Sequence, residues 1–324
     1  MSGKELSTFI SETRMEGLTV RPRFGNLARR KFSQAVAFGV FWLAGLLAVA
    51  ALLWIVGYVL IEGFQVINID FLTTRPKGGV SGEGGMSTTI VATLYLVVFT
   101  MVLATPIGVG AAIYLTEYAA DAALHGKGRR SRLLARLIQL ARTGVEILAG
   151  VPSIIYGLFG FALFVVILNT FTGGFSILSA SLAGACMVLP VIIRTSEEAL
   201  LAVPRSYREG SLALGATKWQ TITQVVLPAA LPGIVTGLIL SVGRIVAETA
   251  IFWVTIGGSY RLPTGIKSAG RPMALHVYML ATETRAFEKA MGTAAILILT
   301  IVVLNLVINL TSRYYSKQMM GRTQ

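Results

Sequence analysis

Within an apolar run over residues 229–256, the stretch SVGRIVAETAIF (241–252) carries two ionisable side chains, Arg244 and Glu248, four positions apart. A charge at the centre of a bilayer costs about 2.5–3.5 kcal/mol on insertion scales, so such groups are retained for a reason. Two kinds of chemistry fit this spacing. A guanidinium and a carboxylate at i,i+4 on a helix form an ion pair that fixes packing. Alternatively, Arg244 presents its planar fork to a phosphate group on a permeation path, while Glu248 holds the fork in place and keeps the empty site near neutral. Glu248 would also accept a proton from a protonated phosphate, which fully ionised sulfate does not carry. At about 100° per residue, Gly233, Gly237, Ser241, Arg244 and Glu248 fall within about 80° of one another. Gly233-x3-Gly237 is the small-residue spacing that lets membrane helices approach closely. The polar pair therefore continues a packing face that points into a bundle, and Ser241 joins it as a candidate pathway residue.

The elements that must position these groups are membrane spans. The 324 residues are 54% hydrophobic and only 13% charged, with a mean hydropathy of +0.72. This is an all-α integral membrane protein, with spans expected at 36–61, 89–115, 145–168, 177–193, 229–256 and 291–311, each long enough for a hydrocarbon core of about 30 Å. The net charge of +13 reads as the positive-inside bias rather than as nucleic-acid binding. With the N-terminus inside, 20 of the 28 Lys and Arg fall on the inner segments 1–35, 116–144, 194–228 and 312–324, which puts both termini in the cytoplasm. Residues 1–35 form a basic tail, 36–315 the spanning domain and 316–324 a C-terminal tail. The first apolar segment is too long for a signal-peptide core and is expected to stay as a span.

One inner segment is more than a linker. PRSYREGSLALGATKWQTITQVVLP (204–228) predicts two short helices. Pro204 suits the first helical position, Gly215 the positive φ that ends a helix, and Thr217 with Gln220 a capping box that starts the next. Two short helices bent at a glycine make a rigid knob. Its second arm carries Lys218, Gln220, Thr221, Thr223 and Gln224, residues suited to docking on another protein rather than to resting on lipid.

The motif Glu209, Gly215, Leu227-Pro228 resembles the "EAA" loop of ABC importer permeases, with Gly210 and Ser211 in place of the two alanines and Val225 in place of the isoleucine. A wider resemblance, carried by GVPSIIYGLFGFALFV (150–165), RTSEEALLAVPRSYREGSLALGATKW (194–219), LPAALPGIVTGLILSVGRIVAET (227–249) and ATPIGVGAAIYLTEYA (104–119), is to the phosphate-specific permease families PstA and PstC. IYGLFG and IYLTEY lean towards PstA. The N-terminal tail and AIFWVTIGGSYRLP (250–263) depart from the pattern and leave the choice between the two open. The resemblance implies a type I, MetI-like fold of six helices with cytoplasmic coupling helices. It also implies that Glu209, Gly215, Ala216, Thr217 and Lys218 contact an ATPase, and that Arg244 and Glu248 serve phosphate passage. The implied partners are a second homologous permease, two ATP-binding subunits that hold ATP and Mg, an extracytoplasmic phosphate-binding protein and the lipid of a bacterial inner membrane. Permeases for sulfate, molybdate or phosphonate share the coupling loop, and a self-sufficient anion channel or secondary transporter would need none.

Other chemistry is not evident. GEGGMSTT and GKGRRS lack the spacing of a phosphate-binding loop, and no catalytic constellation suggests an enzyme. His125 and His276 fall on opposite sides of the membrane, and Cys186 reads as a small packing residue. The outer segment 257–290, with five Lys and Arg, is either a solvated loop or a basic vestibule for an anion or an acidic docking partner.

Overall fold

The computed structural model describes residues 27–77, 82–119 and 129–321. Most of the N-terminal tail, part of the Gly-rich first outer loop, His125 and the last three residues lie outside the described residues. All regular elements among the described residues are helices, and the chain divides into two units, 1–56 and 57–324, at a point inside the first helix.

Helix α1 (Leu27–Val66) extends the expected first span at both ends. In the N-terminal unit every described side chain from 31 to 55 is exposed, including Phe32, Trp42 and Trp54. Such a continuous apolar surface is what a lipid-facing helix presents.

The second unit contains α2 (Ile69–Thr73), α3 (Ser87–Ile113), α4 (Arg129–Ala149), α5 (Ser153–Gly160), α6 (Asn169–Thr172), α7 (Ile177–Leu201), α8 (Arg205–Ala213), α9 (Lys218–Thr221), α10 (Leu227–Ala247), α11 (Ala250–Thr255), α12 (Met273–Glu283) and α13 (Phe287–Gly321). Wide π turns continue three of them, over Tyr114–Tyr118, Phe161–Ile167 and Ile222–Val226. Helix α7 lies at the centre and packs against α3, α10, α5 and α4. Its sequence explains this position, because Ser179, Ala180, Ser181, Ala183 and Gly184 present almost no side-chain bulk and all are buried. Where α10 crosses α7, a Cβ on Gly233 would stand 2.6 Å from the Ala199 Cβ, and one on Gly237 would overlap the Thr195 side chain. The two glycines form the contact surface itself, as small residues do between membrane helices.

Among the described residues five helices are long and apolar enough to span, and a bent pair raises the number to six if it is counted as one span. Two expected spans change. The third, at 145–168, is broken at Gly150–Pro152: Ala135–Ala149 and Ser153–Ile167 meet at 105°. Pro152, which has no N–H to donate, sits immediately before α5 with extended backbone. The fifth, expected over 229–256, ends at Ala247, where Glu248 leaves helical geometry with φ −74° and ψ 133°.

Overpacking at a tight helix contact costs about 1–3 kcal/mol. Gly237→Ala is therefore expected to lower the thermal stability of the purified transporter, whereas Gly243→Ala on the same helix, with nothing within 4 Å, is expected to leave it unchanged. Equal melting temperatures for the two variants would remove the packing role of Gly237.

Candidate functional site

The knob forms as its residue types dictate. Pro204 takes the N-cap of α8, one position before the expected one. Gly215 has φ +87°, and its N–H donates to the Leu212 carbonyl while that of Ala216 donates to the Ser211 carbonyl. This is the paired-bond cap that a left-handed glycine permits. Directly after it, the Thr217 hydroxyl accepts from the Gln220 N–H and the Gln220 side chain accepts from the Thr217 N–H. The Ser211 and Thr221 hydroxyls, 2.9 Å apart, tie the two arms together.

The docking of the knob rests on a pair that sequence reasoning did not single out. Arg208 donates to the Glu117 carboxylate at 2.7 and 3.1 Å, and to the carbonyls of Val203 and Leu200 at 2.8 Å each. Glu117 is buried in the π turn that ends α3. Lys218 donates to the Glu117 carbonyl and lies 4.9 Å from the Tyr118 ring centre. Thus Lys218, expected to face an ATPase, is also a strut between the knob and α3. Glu209 points outward and is exposed, as are Tyr207, Leu214 and Trp219; the Leu214 side chain is 91% exposed. An acidic residue just inside the inner end of an apolar span, as Glu117 is within IYLTEY, was the available signal for the missed pair.

The intramembrane pair is not formed. Glu248 has left the helix, and its carboxylate accepts from the N–H groups of Ala250 and Ile251 at 3.0 and 3.3 Å, capping α11. Ser241 is fully buried and its hydroxyl donates to the Gly237 carbonyl at 2.9 Å. Arg244 remains half-buried in α10, and among the described residues no carboxylate lies within 4.0 Å of its guanidinium.

A family model described as "Binding-protein-dependent transport system inner membrane component" matches residues 104–321. The chain belongs to this family. As such a component it is a multi-pass inner-membrane protein and one part of an ABC transporter. It is 34% identical to the phosphate transport system permease protein PstA 1 of Mycobacterium tuberculosis, over 86% of this chain and 87% of that one. It is 31% identical to PstA of Haemophilus influenzae (84% and 88%), and 30% identical to the probable ABC transporter permease YqgI of Bacillus subtilis (86% and 94%). The fold is that of a bacterial alginate ABC transporter crystallised with its pentasaccharide-bound periplasmic protein, at a TM-score of 0.61 and 16% identity over 90% of this chain and 99% of that one.

Segment 257–290 is not simply a solvated basic loop. Arg271 is buried, donates to the Gly258 carbonyl at 3.0 Å and stacks 3.9 Å from the Tyr260 ring centre. Lys289 donates to the Gly82 carbonyl at 3.1 Å, and Lys267 lies 6.0 Å from the Phe171 ring centre. Three of the five cations are thus structural. His276 is 3% exposed with Nδ1 unbonded. Burial, and then the Arg271 charge, push its pKa down to about 3.

Two predictions follow from these contacts. Arg208→Lys supplies the charge without the fork, so protection from hydrogen exchange across 204–221 should fall by on the order of 2 kcal/mol; undiminished protection would show that charge alone holds the knob. An unfolded His takes up its proton near pH 6.5, which the native His276 refuses until about 3, so stability present above 6.5 is lost progressively as pH falls towards 3. His276→Leu should flatten the pH dependence of thermal unfolding between 6.5 and 4; an unaltered slope would assign it to other groups.

Proposed function

We propose that this chain is the permease subunit of an ATP-driven phosphate importer, forming half of the translocation pathway. The observation that carries the reading is an intramembrane guanidinium, Arg244, left without a described counter-carboxylate in a chain that also bears a rigid, outward-facing knob. An uncompensated guanidinium in an apolar span suits a transported oxyanion, whose own charge completes the ion pair on arrival. The relatives named as phosphate transport permeases support phosphate as that anion.

In this reading the exposed Leu214, Trp219 and Glu209 meet an ATP-binding subunit of the PstB kind. ATP and Mg are held there and not by this chain. A second, PstC-like permease supplies the other half of the path, and a PstS-like phosphate-binding protein delivers the anion from outside. Both termini lie in the cytoplasm, as the distribution of Lys and Arg supports. Closure of the ATPases pushes the knob, and Arg208, Lys218 and Glu117 carry the push to the ends of α7 and α3. Glu248 acts as a positioning residue that starts α11 beside the pathway.

The test is uptake of labelled phosphate by the reconstituted complex. Arg244→Gln removes a charge-assisted contact worth about 1.5–3 kcal/mol, so uptake should fall at least about tenfold while assembly and ATP binding persist. Excess sulfate should compete poorly with the wild type. Unchanged uptake would return Arg244 to helix packing, and equal competition by sulfate would replace phosphate with a broader oxyanion substrate.

A further inference from the structure

The turn from α4 into α5 opens a cleft of about 500 Å3 against α7, within the range of about 300–1,000 Å3 for pockets that enclose small molecules. Its walls include Leu148, Ile155, Phe159, Cys186, Leu189 and Ile193. The one hydroxyl among its lining residues, that of Tyr156, is engaged in donating to the Leu148 carbonyl at 2.6 Å. A second pocket of about 230 Å3 adjoins the cleft, with Val145 and Pro190 forming walls of both. It is lined by Arg142, Glu146, Arg194, Glu197 and Glu198. An apolar depth with a charged mouth is the outline of an amphiphile.

The depth of the space selects the kind of amphiphile. From Glu198 at the mouth to Cys186 in the cleft, α7 advances about 18 Å at about 1.5 Å per residue. That is a little over half of a hydrocarbon core of about 30 Å, the reach of one leaflet. The mouth lies at the end of α7 that carries the knob.

The charges select the head group. Arg142 donates to the Leu115 carbonyl at 3.1 Å and lies 3.5 Å from Glu197. Arg194 pairs with Glu198 at 3.2 Å, and both side chains are about two-thirds exposed. Glu146 has no ion-pair partner within 4.0 Å among the described residues, and the buried Glu197 Oε1 accepts no hydrogen bond. Three carboxylates face two guanidinium groups, so the mouth offers sites for both signs with one negative charge in surplus. We propose that this space holds a membrane phospholipid with a primary-amine head group. One acyl chain fills the cleft, the phosphodiester meets the exposed guanidinium of Arg194, and the ammonium meets the unpaired Glu146. A head group with a phosphodiester and no ammonium would leave Glu146 without a counter-charge.

The test uses the full transporter in phosphatidylcholine vesicles containing a trace of phosphatidylethanolamine with a photoactivatable diazirine midway along one acyl chain. Cross-links are expected on peptides covering 145–159 and 186–193, and unlabelled phosphatidylethanolamine should compete several-fold better than phosphatidylglycerol. Glu146→Gln, an exposed change that leaves the cleft intact, should reduce that preference, and Leu189→Trp should abolish the cross-link by filling the cleft. Should the tryptophan variant fail to assemble, the Glu146→Gln comparison decides alone. Cross-links spread over every lipid-facing helix, equal competition by both lipids, or a cleft that yields no cross-link because another subunit covers it would each overturn the proposal. Phosphate uptake is not the readout, so the proposal fails or stands independently of the transported anion.

Discussion

The end of α7 and the turn that follows it direct the carbonyls of Leu200 and Val203 towards the knob, and the Arg208 guanidinium donates to both while also gripping Glu117. A cation at a helix C-terminus is favoured by the helix dipole, and the bidentate grip on a buried carboxylate adds direction as well as strength. Three separate stretches of chain, the end of α3, the end of α7 and the first arm of the knob, therefore meet at one side chain. Lys218 brings in the second arm at the Glu117 carbonyl. Held from both arms, the knob moves only with the helices behind it, which is the mechanical condition for a coupling element.

The rest of the bundle is arranged so that α7 is free to be central. Its small residues are buried against α3 and α10, and Gly233 and Gly237 bring the α10 backbone to within side-chain contact of Ala199 and Thr195. Bulk comes from Leu96, Ile245 and Phe252 on the neighbouring helices, and on α7 itself from Ile177 and Met187. An arginine on α10 is tolerated because the helix is anchored by this glycine face and does not depend on an ion pair for its position.

Most of the fold was legible in the sequence because hydropathy and helix caps are local signals. Four of the six expected spans, the Gly215 turn and the Thr217–Gln220 capping box are set by residues adjacent to them. The failures were of two kinds. Glu248 was read as a helical residue because the only capping residue type in AETAIF is a lone threonine inside an apolar run; Thr249 takes the N-cap position without using its hydroxyl, and a glutamate reaching forward to two N–H groups does not stand out. Pro152 lies inside the expected third span, where a proline commonly only kinks a helix, whereas here it separates two helices at 105°. The Arg208–Glu117 pair was hidden for another reason: its partners are 91 positions apart, and no periodicity reports such a meeting. Within the candidate pathway, periodicity grouped Gly233, Gly237 and Ser241 on one face, and the two glycines of that face meet Ala199 and Thr195.

The hydrogen bonds of the knob fall into two classes by chain separation. Those that shape it, from Gly215 to Leu212 through to Ser211 with Thr221, span at most 10 positions. Those that seat it, from Arg208 and Lys218 to Glu117, span 91 and 101. Short loops close fast and at little entropic cost, and long ones do not. During synthesis the bent shape of the knob is thus available as soon as residue 221 has left the ribosome, and α3, made far earlier, already offers Glu117 as its seat. The order of events is written into the chain: the part that will meet a partner takes its form from its own neighbours, and only its address depends on the rest of the protein.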